Sequence, residues 1–166
     1  MPVKAIFLDR DGVINEDTGY VFQVEHFHFR DGIFELCRAA INKGYTIIVA
    51  TNQSGIERGY FTEADFRHLT QWMLARFDDA GIEIAEVLHC PTLSGPNRKP
   101  NPGMFLAAQQ KHGIDMSVSI SLGDKERDVQ SGRRAEVGTN VLLSERDVES
   151  EADYIIATLK EMEDLL

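Results

Sequence analysis

Val3-Lys4-Ala5-Ile6-Phe7-Leu8-Asp9-Arg10-Asp11-Gly12 joins an almost unbroken apolar run to two carboxylates two residues apart. The run has the composition of a strand covered on both faces. Nothing in strand packing asks for two acids at its end. A phosphoryl-transfer site does, because one carboxylate can attack phosphorus while the other handles protons. A turn acid, a helix cap or a calcium loop is the competing reading. A helix–loop–helix calcium site wants a third acidic position and glycine at its sixth position. Here glycine is fourth and the preceding segment reads as a strand.

Outward from this stretch, strand and helix patterns alternate. Ile33, Leu36, Cys37, Ala40 and Ile41 recur at helical spacing and predict a helix from about 33 to 43, stopped at Gly44. Tyr45–Ala50 reads as a second buried strand. Thr62 caps a helix with Glu63 and Asp65 in its first turn, the apolar stripe Phe66, Leu69, Met73, Phe77, and an end at Gly81. Ile84–His89 is a third strand, and Asn101-Pro102 occupy the cap and first turn of the next helix. Val118–Leu122, Thr139–Leu143 and Tyr154–Ile156 read as further strands, with helices through Val129–Ala135 and over Thr158–Leu165. This order predicts an α/β fold, a parallel sheet with helices on both faces, in one domain over residues 1–166.

The 166 residues, 43 % apolar and 27 % charged, suit one globular core. No apolar run has the roughly 20 residues of a membrane span, and the N-terminus has no secretory leader, so a cytoplasmic protein with no membrane partner is expected. Two cysteines are too few for a disulfide framework, and Cys37 falls on an apolar helix face. A net charge of −10 argues against nucleic acid as partner and requires a phosphate site to concentrate its positive charge locally.

Ligands of such sheets sit beyond the carboxyl ends of the strands. There the chain carries Asp9 and Asp11, then Thr51-Asn52, then Arg98-Lys99, then Gly123-Asp124, and all four sets are expected to converge. Asp9 is the candidate nucleophile and Asp11 the candidate acid/base, the latter protonated with the help of burial and a neighbouring negative charge. The Thr51 hydroxyl and adjacent N–H groups suit phosphate oxygens, and Lys99 supplies a cation. Asp9, the Asp11 carbonyl and Asp124 suit a magnesium ion. Asp128 orients Lys125 or a metal-bound water, or is simply a first-turn acid favoured by the helix dipole.

The set Asp9-x-Asp11-Gly12, Thr51, Lys99 and Gly123-Asp124-x3-Asp128 resembles the motifs of the haloacid dehalogenase-like phosphatases. That resemblance implies a Rossmann-like three-layer fold without a large cap domain, magnesium dependence and an aspartyl phosphate on Asp9. Phe7 to Asn15, Gly19-Tyr20-Val21, Thr51 to Ile56, Arg58 to Thr62, Arg98 to Met104 and Gly123-Asp124-Lys125 resemble, more narrowly, the D-glycero-D-manno-heptose 1,7-bisphosphate 7-phosphatases. Histidinol-phosphate phosphatases form a sister group. The implied substrate is a phosphorylated sugar held by Asn52, Gln53, Ser54, Arg98 and Lys125, under short loops 53–61 and 93–99, with Arg58 a basic candidate for the distal phosphate. A monomer is expected. Many members carry a zinc loop, Cys-x-His followed by Cys-x-Cys before the Arg-Lys pair. Here Cys90-Pro91-Thr92-Leu93-Ser94-Gly95-Pro96-Asn97 keeps only the first cysteine, so no zinc is expected. A phosphoryl-accepting signalling domain places its aspartate after the third strand, where this chain has His89-Cys90. A catalytically dead binding module leaves catalytic positions empty, and none is empty here.

Overall fold

A computed structural model describes residues 2–166. Six parallel strands form one sheet in the order β3-β2-β1-β4-β5-β6. In chain order the elements are β1 (Lys4–Leu8), α1 (Ile33–Asn42), β2 (Tyr45–Asn52), α2 (Glu63–Asp79), β3 (Glu86–Cys90), α3 (Gly103–His112), β4 (Ile120–Gly123), α4 (Glu126–Arg134), β5 (Thr139–Leu143) and β6 (Tyr154–Ile156). The expected Rossmann-like α/β architecture is therefore the observed one.

The β1 run is apolar at every second residue on both faces because it feeds two cores. Ile6 and Leu8 join Ile47 and Val49 against α1 and α2, where Leu36, Leu69, Met73 and Phe77 are buried. Ala5 and Phe7 join Ile48 and Ala50 against Met104, Phe105 and Ala108 of α3. This is the period of two expected of a central strand. Strand order reverses between β1 and β4, so their carboxyl ends open a crevice. Only loops and short 3₁₀ turns, no further sheet or helical domain, lie between β1 and α1 and between β2 and α2.

Local differences from the sequence reading have physical causes. Thr62 caps α2 as expected, its Oγ1 accepting from Asp65 N at 3.1 Å while Asp65 accepts from Thr62 N at 2.9 Å. Asn101, by contrast, donates its side-chain amide to Gly95 O at 2.9 Å, which leaves Pro102 at the N-cap of α3. Val118 lies half exposed in a 3₁₀ turn capped by Asp115, and β4 starts at Ile120. Residues Leu159–Leu165 form a 3₁₀ helix rather than an α-helix. Its buried Leu159 and Met162 are three residues apart, the spacing that eclipses on a three-residue turn. Cys37 is buried and unpaired, and burial pushes its thiol up to about 12.

Candidate active site

The four strand ends do converge. One cavity of about 280 Å³ is lined by Asp9, Asp11, Thr51, Asn52, Gln53, Ser54, Arg58, Arg98, Asp124, Lys125 and Asp128, all named from sequence, and also by Asp17, Tyr20 and Arg127. Lys99 lies buried beneath it.

Asp9 continues β1 into the crevice, its N–H donating to Leu122 O of β4 at 3.1 Å. Its Oδ1 accepts from Arg10 N at 2.9 Å and faces Lys99 Nζ at 3.5 Å. Lys99 Nζ also donates to Ala50 O at 2.5 Å and to Asp128 Oδ1 at 2.9 Å. Burial raises the Asp9 carboxyl well above the usual range, helped by Asp128, Asp124 and Asp11 and opposed by Lys99. For Lys99, burial works against the charge, yet Asp128 and Asp9 outweigh it and hold the ammonium above its ordinary value.

Asp124 sits where β4 ends. Burial, then Asp128 and Asp17, push its carboxyl up to about 6 against the pull of Lys125. Its Oδ1 is buried without a hydrogen-bond partner. Gly12 makes room for it: φ is +97°, and a Cβ there would fall 2.0 Å from Asp124 Oδ2. Asp9, Asp124 and Asp128 bring carboxylate oxygens within 4.8 Å of one another. Asp128, however, is already engaged. Its Oδ2 accepts from Asp124 N at 3.2 Å and Lys125 N at 3.0 Å, while Oδ1 holds Lys99. Asp9 and the orphaned Asp124 oxygen are thus the side chains with acceptor capacity to spare. Two crowded, partly desolvated carboxylates with an unpaired oxygen fit a hard divalent cation.

Asp11 occupies a different environment from the one the sequence suggests. The acids crowd Asp9, whereas the nearest charge to Asp11 is the Arg10 guanidinium at 2.9 Å. Asn15 Nδ2 donates to its Oδ1 at 3.0 Å and Gln53 Nε2 to its Oδ2 at 2.9 Å. Gln53 also donates to Thr51 Oγ1 at 3.0 Å, tying the threonine hydroxyl to the same network. Asn52 makes a reciprocal pair with the Lys99 backbone, Oδ1 accepting from Lys99 N at 3.0 Å and Nδ2 donating to Lys99 O at 3.2 Å. It therefore clamps β2 to the loop that carries the lysine. Asp128 orients Lys99 and the backbone at 124–125 rather than the Lys125 side chain. Arg10, Asn15, Asp17 and Arg127 also reach the site. Each reads from sequence as an ordinary solvated side chain, and only the returning loops bring it to the cavity.

The loop after β3 is held by its own hydrogen bonds. Thr92 Oγ1 donates to Ser94 O at 2.7 Å, Gly103 N to Pro96 O at 2.9 Å, and Leu93 N to the Glu57 carboxylate. His89 Nε2 faces Glu63 at 3.0 Å with its ring stacked on Phe66, while Cys90 Sγ lies 3.2 Å from Thr92 Oγ1. Among the described residues no helix is long and apolar enough to cross a membrane.

The family described as polynucleotide kinase 3 phosphatase matches residues 4–157. A protein of Burkholderia mallei named D-glycero-alpha-D-manno-heptose-1,7-bisphosphate 7-phosphatase is 47 % identical, over 100 % of this chain and 93 % of its own. One of the same name from Campylobacter jejuni is also 47 % identical, over 98 % and 95 %. The beta-named enzyme of Escherichia coli O6:H1 is 40 % identical, over 96 % and 92 %. Among solved structures, D,D-heptose 1,7-bisphosphate phosphatase from B. bronchiseptica, complexed with magnesium and phosphate, shares the fold. It superposes with a TM-score of 0.89 at 24 % identity, over 98 % of this chain and 97 % of that one.

Proposed function

We propose, for a chain that belongs to the haloacid dehalogenase-like phosphatases and within them to the heptose 1,7-bisphosphate 7-phosphatase group, that it removes the 7-phosphate of D-glycero-α-D-manno-heptose 1,7-bisphosphate. Membership makes it a phosphoric monoester hydrolase. The observation that carries the reaction is the carboxylate of Asp9 at the cavity floor, between the Lys99 ammonium and the Asp124 carboxylate.

Asp9 attacks phosphorus, the ester P–O bond breaks, and Asp11 gives a proton to the departing sugar oxygen. Asp11 then takes a proton from water as that water attacks the aspartyl phosphate, which frees phosphate and restores Asp9. Thr51 and Lys99 hold the transferring phosphoryl oxygens. Asp9, the Asp11 carbonyl and Asp124 would hold magnesium, which when bound would supply the positive charge that lets two anions approach. Arg58, Arg98, Lys125 and Arg127 line the same cavity, and no ion pair occupies them among the described residues. In a chain of net charge −10 this local concentration of cations suits the distal phosphate of a bisphosphate.

The polynucleotide of the family's description is a poor fit, because the chain lacks the basic balance that polynucleotide binding draws on. We assign the α anomer because both relatives at 47 % identity carry that name, while the β-named one stands at 40 %. The protein acts as a cytoplasmic monomer in the route to nucleotide-activated heptose for surface polysaccharide, and the loop after β3 does its work without zinc. The test is kcat/KM on both heptose bisphosphate anomers, histidinol phosphate and fructose bisphosphate, with magnesium or EDTA. Preference for the α bisphosphate with magnesium is expected. Equal or better turnover of histidinol phosphate would replace this assignment with the sister activity.

A further inference from the structure

Arg10 is among the largest fully buried side chains of the molecule, 1 % exposed, between the two acids of the site. Its guanidinium forks onto Asp11: Nη2 donates to Oδ1 at 2.9 Å and to Oδ2 at 3.1 Å, and Nε to Oδ1 at 3.2 Å. Nη2 also donates to Val21 O at 2.6 Å, in the loop whose Asp17, Gly19 and Tyr20 line the cavity. The plane lies between the Phe27 and Phe66 rings, 5.9 and 5.8 Å from their centroids. Nη1 is buried with no partner.

A buried guanidinium with an unsatisfied nitrogen is costly, and an apolar side chain of similar volume would pack there at less cost. The contacts say what the charge does instead. A lone Asp11 carboxylate rotates about two side-chain bonds, and a forked guanidinium fixes its plane, which a single ammonium donor does not. Asn15 and Gln53 complete the hold from either side.

We propose that Arg10 is the positioning residue of the acid/base step. It holds the Asp11 carboxyl at the angle needed to meet the leaving oxygen and locks that angle to the 17–20 loop through Val21. The proposal rests on the reading of Asp11 as the general acid. It specifies that Arg10 acts on proton transfer through Asp11 and not on attack by Asp9. Hydrolysis of the aspartyl phosphate is common to all esters, so the selective effect lies in the first step: proton donation matters most when the leaving group is basic, and loss of Arg10 slows release of an alkyl alcohol while largely sparing a phenolate, which leaves unaided.

The experiment compares Arg10→Lys and Arg10→Met with the unmodified protein, each with magnesium, on a primary alkyl phosphate and on p-nitrophenyl phosphate. Thermal melting is recorded, and Asp11→Asn serves as a second background. Methionine keeps the stem between the two rings and removes the fork. The expected result is a loss in the single-turnover rate of alcohol release of about 100-fold on the alkyl ester and under about tenfold on the aryl ester. KM should change little, and no further selective loss should appear in the Asp11→Asn background. Equal losses on both esters, or a selective loss that persists without Asp11, would overturn the proposal. So would failure of both variants to fold, which would make Arg10 a structural residue. An unmodified protein that hydrolyses neither these esters nor the heptose bisphosphate would instead sink the functional reading itself.

Discussion

Asp124→Asn isolates the electrostatic cost built into the site. Burial and the neighbouring acids raise the Asp124 carboxyl from 3.8 to about 6. Between those values the native protein holds a proton that the unfolded chain has released. Stability contributed by this group is therefore greatest below pH 4, falls as pH rises, and is fully lost above about pH 6. About two pKa units correspond to about 3 kcal/mol, and partial solvent access lowers that to about 2–3 kcal/mol. In EDTA, Asp124→Asn should thus match the unmodified protein near pH 4 and exceed its stability by about 2 kcal/mol at pH 7. Magnesium should reverse the comparison. At a hundredfold excess over Kd it should add about 2.7 kcal/mol to the unmodified protein at pH 7. It adds little to the asparagine variant, and less at pH 5, where the cation must displace a proton. Urea denaturation at pH 4 to 8, in EDTA and in magnesium, measures both effects. A metal-free difference that does not grow with pH, or an asparagine variant that responds fully to magnesium, would refute the account of Asp124.

Lys99→Met leaves the buried Asp9 and Asp128 carboxylates facing each other without a cation; a loss of about 3–5 kcal/mol by urea denaturation is expected, with phosphate release down at least about 100-fold. Unchanged stability would contradict the central place given to that triad. Gly12→Ala forces a side chain to φ +97° and against Asp124 Oδ2; it should destabilise by at least about 1 kcal/mol and weaken magnesium binding measured calorimetrically. A variant with native affinity would show that Gly12 does not make room for the carboxylate. Arg58→Ala and Arg127→Ala should each raise KM for the bisphosphate about threefold to tenfold, with the effect fading in high salt and nearly absent for a monophosphate. Equal effects on both substrates would remove the distal-phosphate role.

The architecture was legible because β1 advertises both of its faces: Ile6 and Leu8 turn to one core, Ala5 and Phe7 to the other. The site was legible for a related reason. Asp9, Thr51 and Asp124 are polar residues that interrupt or follow apolar runs, and strand ends point them the same way, while Lys99 comes to them on the loop after β3. What stayed hidden depends on contacts distant along the chain. Arg10 beside two acids reads as a solvated charge, until Val21, Phe27 and Phe66 enclose it. Asp128 reads as a first-turn acid, until Lys99, 29 residues earlier, reaches it. Asn101 carries the signature of a cap, yet Gly95 competes for its amide and wins.

The identity of the nucleophile is open to one direct measurement. Rapid acid quench during turnover, followed by peptide mapping, locates any phosphoryl group retained by the protein. The account predicts the label on Asp9, absent in Asp9→Asn, which keeps its fold and loses turnover. Label on Asp11 or Asp124, or substantial turnover by Asp9→Asn, would contradict it.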